Sequence, residues 1–100
     1  MTNDAEIKYS EDEMKIARFA KALGHPARIV ILKTLAKKKC CFCGNIVDEL
    51  PLSQSTVSQH LKELKEAGLI HGNIEAPKIR YCINPVNWKT AQKLFKELFY

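Results

Sequence analysis

The chain has 100 residues with a formal net charge of +5, four glycines, four prolines and four cysteines. That length reads as one domain over 1–100 with a thin core of its own, which a second copy would extend, and the scarcity of glycine and proline disfavours a turn-rich all-β fold. The polar, acidic start lacks the apolar stretch of a secretion signal and no run nears the ~20 apolar residues of a membrane span, so the expectation is a cytoplasmic protein with no membrane partner.

Taken in chain order, residues 1–9 read as a mobile acidic arm. A first helix is expected from Ser10 to Leu23, with Ser10 and Glu13 spaced as a capping box and Ile16, Phe19, Ala20 and Leu23 on one face. Gly24 stops it, and Pro26 opens a second helix with Ile29, Leu32, Leu35 and Ala36 apolar, ending in Lys37, Lys38 and Lys39. After the run Cys40-Cys41-Phe42-Cys43 a short third helix is expected over Gly44 to Leu50, closed by Pro51. The fourth starts after Ser53, buries Val57, Leu61 and Leu64, and closes at Gly68. The period then changes: Leu69 to Glu75 and Lys78 to Ile83 read as two strands around Ala76-Pro77, followed by a last helix from Asn87 to Phe99. The expected class is mainly α with a small β-hairpin, in the order α-α-α-α-β-β-α.

Charge divides the chain. Residues 1–13 carry five acidic side chains against one basic, whereas residues 14–100 carry fifteen basic against six acidic. A body this basic suits a polyanion, although a solvated surface would show the same balance. The third and fourth helices with the turn between them form a helix-turn-helix candidate, whose second helix would present its first turns to the major groove. Those turns hold Ser53, Gln54, Ser55, Thr56, Ser58, Gln59 and His60, short polar groups suited to base edges, with Lys62 placed for a phosphate. Read otherwise, this is only a well-capped helix start, but a cap accounts for one or two hydroxyls and not a whole polar turn. Lys78 and Arg80 near the hairpin tip can reach a groove or backbone, or serve as edge-strand charges that deter aggregation.

Three stretches carry a family resemblance: Ala22-Leu23-Gly24-His25-Pro26-Ala27-Arg28-Ile29, Leu52 through Leu64, and Ala67-Gly68-Leu69-Ile70 with Tyr81. Through them the chain resembles the ArsR/SmtB family of winged helix-turn-helix repressors, in its arsenic-responsive branch. The resemblance implies a homodimer that represses an operator on double-stranded DNA and is released by a metal, metalloid or other effector. It implies a dimer built from the first and last helices, and the residues expected at that interface are Ile16, Phe19, Leu23, Trp88, Ala91, Phe95 and Leu98. The apolar character of the last helix, Phe99 included, agrees, although the helix could equally pack within its own subunit.

Cys40, Cys41 and Cys43 stand at the entrance to the third helix. Three thiolates there suit arsenite or antimonite, and the preceding lysines with the helix N-terminus would favour the thiolate forms. The resemblance places the metalloid pair at Cys41 and Cys43. Here Gly44 and Asn45 follow where an acidic residue and leucine are usual, and the third cysteine precedes the pair. Cys82 reads as a small buried hydrophobe, with a fourth ligand for zinc as the lesser alternative. No obligatory cofactor is expected, only an As(III) or Sb(III) effector, with Zn(II) less favoured; oxidation of the same thiols is an open alternative. His25 is expected at a helix start and His71 has no assigned role. A protein-interaction module remains a competing reading. An enzyme does not: no Gly-rich phosphate loop and no nucleophile–base set is present.

Overall fold

The computed structural model describes residues 8–100, so the expected arm falls largely outside the described residues. The elements are α1 Glu11–Ala22, α2 Pro26–Lys38, β1 Cys40–Phe42, α3 Cys43–Val47, α4 Gln54–Glu66, β2 Ile70–Glu75, β3 Lys78–Ile83 and α5 Pro85–Phe99. This is the expected order with one addition, the three-residue strand β1, where a loop was expected.

Local chemistry sets the helix ends. Ser10 Oγ accepts from the Glu13 N–H at 3.1 Å and Glu13 Oε1 accepts from the Ser10 N–H at 2.8 Å, which completes the capping box of α1. At α2 the imidazole of His25 caps, its Nδ1 accepting from the Ala27 N–H at 3.0 Å, and Pro26 occupies the first turn. Asn84 caps α5 through its Oδ1 and the Asn87 N–H at 3.1 Å, so that helix begins at Pro85, two residues before the expected start. The third helix is a short turn of helix that starts one residue before the expected Gly44 and ends at Val47, three residues short of Leu50, and the chain from Asp48 to Leu52 is turn and bend.

The sheet is antiparallel in the order β1-β3-β2, with Cys40 opposite Cys82 on one side of β3 and His71 opposite Cys82 on the other. Because side chains alternate along a strand, Cys40, Cys82 and His71 share one face while Cys41, Tyr81 and Gly72 share the other. The core gathers where α2, α3 and α4 meet the base of the hairpin: Ile31, Leu35, Ile46, Val57, Leu61, Leu64, Leu69 and Ile70 are all fully buried. Each such side chain contributes roughly 1.5–3 kcal/mol by leaving water. The turn from α4 into β2 needs a glycine: Gly68 has φ +83°, and a Cβ there would lie 2.7 Å from Asn87 Nδ2. That amide donates to the Gly68 carbonyl at 2.8 Å and so fastens α5 to the root of the hairpin. Among the described residues no helix is long and apolar enough to cross a membrane.

Candidate nucleic-acid interface and thiol cluster

The first turns of α4 stand at the surface. Ser53 Oγ accepts from the Thr56 N–H at 3.3 Å and sits 2.9 Å from Thr56 Oγ1 and 3.1 Å from Ser55 Oγ. The Ser53 hydroxyl therefore holds the helix start, while Gln54, Ser55, Thr56, Ser58, Gln59 and Lys62 are exposed on it. A 13-residue helix with free N–H groups at this end is also a natural seat for a phosphate.

His60 departs from this face. It is half-buried and turned toward α2, its ring centroid 4.4 Å from that of His25. Burial, with the adjacent His25 and Arg28, holds its pKa below the ordinary histidine value, against a smaller opposing pull from Glu63. The signal was present in the sequence: Val57, His60, Leu61 and Leu64 follow the i, i+3, i+4, i+7 pattern of one helix face. His25 takes its expected place at the helix start.

The hairpin lies beside α4. Gln54 and Ser58 of α4, Gly44 and Asn45 of α3, and Lys78 of β3 line one cleft of about 370 Å³. Lys78 Nζ lies 5.3 Å from the Phe42 ring centroid, and Arg80 Nη1 donates to Glu75 Oε1 at 3.3 Å with both side chains about half exposed. Lys78 and Arg80 are thus on the wing as expected, with Arg80 already sharing its charge with an acidic neighbour.

The four cysteines do not form the expected thiol frame. Cys40 and Cys82 are joined as a disulfide with their Cα atoms 4.1 Å apart, and only Cys41 and Cys43 are free. The cause is register: three residues of extended chain before α3 pair with β3, and that pairing sets Cys40 directly across from Cys82. Cys40 and Cys43 also have the spacing of a Cys-x-x-Cys pair, yet the strand geometry directs Cys40 to Cys82 instead. Cys82 is buried, as expected of a small hydrophobe, but as half of a disulfide.

The free thiols also differ from expectation. Cys41 points into the core, where burial pushes its pKa up more than Lys38 pulls it down. Lys38 is itself engaged, its Nζ 2.6 Å from Glu49 Oε1, and Thr34 Oγ1 donates to Glu49 Oε2 at 3.1 Å. The lysine run therefore does not make Cys41 a ready thiolate. Cys43 Sγ lies 3.7 Å from Ser58 Oγ of α4. Among the described residues no three His, Cys, Asp or Glu side chains are grouped as metal ligands.

The residues expected at a dimer interface separate into three sets. Phe19 and Ala91 are closed into the subunit's own core; Ile16, Leu23, Trp88 and Phe95 are half-buried against it. Leu98 is 63% exposed and continues into exposed Phe99, whose ring stacks on Phe95 at 6.4 Å between centroids.

A short helix, a turn and an exposed polar helix beside a basic hairpin define a winged helix-turn-helix DNA-binding regulator. The family described as bacterial regulatory protein, arsR family, matches residues 25–71, the segment from the His25 cap to the first strand of the wing. An uncharacterized HTH-type transcriptional regulator of Methanocaldococcus jannaschii is 41% identical over 85 residues, covering 84% of this chain and 94% of the relative. The transcriptional repressor PagR of Bacillus anthracis is 36% identical over 83 residues, covering 81% and 80%. Among solved structures, HlyU from Vibrio cholerae superposes with a TM-score of 0.71 at 28% identity, over 91% of this chain and 98% of that one. The chain belongs to the arsR family of bacterial regulatory proteins, and its class is that of DNA-binding transcriptional regulators, not enzymes.

Proposed function

We propose that the protein acts as a homodimer that represses an operator, reads it with Gln54, Ser55, Thr56, Ser58 and Gln59 of α4, and loses or gains grip with the thiol state of the chain. The observation that carries the thiol-state reading is the Cys40–Cys82 disulfide. Its ends lie in β1, which runs without a break into α3, and in β3, the central strand of the wing. The bond therefore ties the strand that leads into α3 to the central strand of the wing. Reduction adds two electrons and two protons and leaves β1 held to β3 by its three-residue backbone pairing alone, which loosens α3 and the wing against α4. A coupling of ~1–3 kcal/mol, about 5–150-fold in operator affinity, is typical of such a link.

A metalloid response is the second reading, favoured by Cys43 lying against Ser58 of α4. Three thiolates from Cys40, Cys41 and Cys43 require Cys40 to leave Cys82, so arsenite or antimonite would act on the reduced chain. Zinc, with Cys82 as a fourth ligand, requires the same release.

The test is fluorescence anisotropy on the duplex upstream of the protein's own gene, with oxidised chain, reduced chain, and reduced chain plus arsenite. The expected result is a different affinity for oxidised and reduced chain, abolished in Cys40→Ser/Cys82→Ser. The metalloid reading predicts release by arsenite that Cys41→Ser/Cys43→Ser abolishes. One affinity across all three states would overturn both.

A further inference from the structure

Beside the disulfide lies a cavity of about 700 Å³, walled by the end of α2, the Cys40–Cys82–His71 face of the sheet and the first turns of α5. That volume is in the range of small-molecule sites. Both disulfide cysteines line it, and so do Lys39, Arg80 and Lys89, while no acidic side chain among the described residues does. Arg80 is shared with Glu75, but Lys39 and Lys89 make no ion pair among the described residues. Trp88 supplies an apolar wall. Lys39 has φ +70°, a backbone conformation that a lysine rarely adopts, and its carbonyl accepts from the Ile83 N–H at 3.3 Å. The cation is thus carried on a turn whose backbone is pinned to β3.

We infer that this cavity is a docking site for a low-molecular-weight thiol bearing an anionic group, which opens the Cys40–Cys82 disulfide by exchange. The inference rests on the proposal that this bond opens and closes. Lys39 and Lys89 hold the anionic group, and the cavity floor presents the sulfur atoms to the ligand's thiolate. Cys40 is the more exposed of the two, so it is the sulfur attacked. The thiolate forms a bond to Cys40 Sγ as the Cys40–Cys82 bond breaks, and the electron pair leaves on Cys82 Sγ, which takes a proton from water. A second thiolate then attacks the ligand sulfur of the mixed disulfide. Cys40 leaves as thiolate, and the ligand departs as its own disulfide, having supplied both electrons.

The experiment uses the full oxidised chain and three thiols: 3-mercaptopropionate, 2-mercaptoethanol and cysteamine, which carry negative, zero and positive charge. Opening is followed by mass spectrometry of the Cys40 adduct and by free-thiol counts. Each rate is divided by that thiol's rate with a small uncharged disulfide, which cancels intrinsic nucleophilicity. The expected order is anionic, neutral, cationic, with a spread of ~10-fold or more at low salt. The spread should narrow in ~1 M salt, where the Debye length falls to about 3 Å, and in Lys39→Gln/Lys89→Gln. Equal normalised rates, or a spread that survives the double substitution, would overturn the site. Operator affinity of the same samples separates the two proposals. Charge selectivity with unchanged affinity keeps the docking site and refutes control by the disulfide, while air-purified chain with four free thiols refutes both.

Discussion

His60 gives the interface between α2 and α4 a pH dependence that can be signed. Its pKa in the fold is held below the ordinary value by burial and by the facing His25 and Arg28 of α2, with Glu63 of its own helix opposing. The unfolded chain, at about 6.5, therefore binds a proton first as pH falls. Stability from this site is fully present above that value and is lost as pH drops from there through the folded pKa. Urea midpoints between pH 7 and 5 should fall more steeply for the wild type than for His60→Asn; parallel curves would show that His60 does not titrate as described. Gly68 is a second sensitive position. Gly68→Ala puts a Cβ against Asn87 Nδ2 at positive φ and should cost about 1–2 kcal/mol or more in urea unfolding. These two residues differ in how readable they were. Gly68 is announced by its place after an apolar periodic helix. His60 looks like one more polar residue in a polar turn until the buried stripe through Val57 and Leu64 is counted.

Among the elements, α4 carries the proposed reading residues and its core residues on different faces, and the two can be perturbed separately. Ser53→Ala removes the cap and should cost about 0.5–2 kcal/mol of stability with the reading face left in place. Gln54→Ala or Gln59→Ala should barely change the urea midpoint, but should weaken operator binding by about 1–3 kcal/mol and relax the choice of base at one position. Competition against single-base operator variants measures the second effect. The helices and hairpin were legible because caps and apolar periodicity extend over many residues. The strand β1 was not: three residues are too few to show alternation, and what makes them a strand is the edge of β3, which no local pattern reports. The thiol assignment went astray with it. Cys40 is 42 residues from Cys82 in sequence, and only the β1–β3 register brings them together.

For the whole molecule, a run of consecutive exposed apolar side chains closes the chain at the end of α5, where Leu98, Phe99 and Tyr100 are 63%, 74% and 98% exposed. A 100-residue chain has little core to spare, so a second copy is the proposed cover. Leu98→Asp/Phe99→Asp should shift sedimentation from dimer to monomer and weaken operator binding. A dimer places two copies of α4 about one helical turn of DNA apart, and that spacing tests the account most directly. A hydroxyl-radical and methylation-interference footprint on the upstream duplex should show two half-sites with centres ~10–10.5 base pairs apart, or a multiple of that spacing. Both should be in the major groove and both lost in Gln54→Ala/Gln59→Ala. A single half-site, or protection that survives the loss of both glutamines, would contradict a dimer that reads DNA with the first turns of α4.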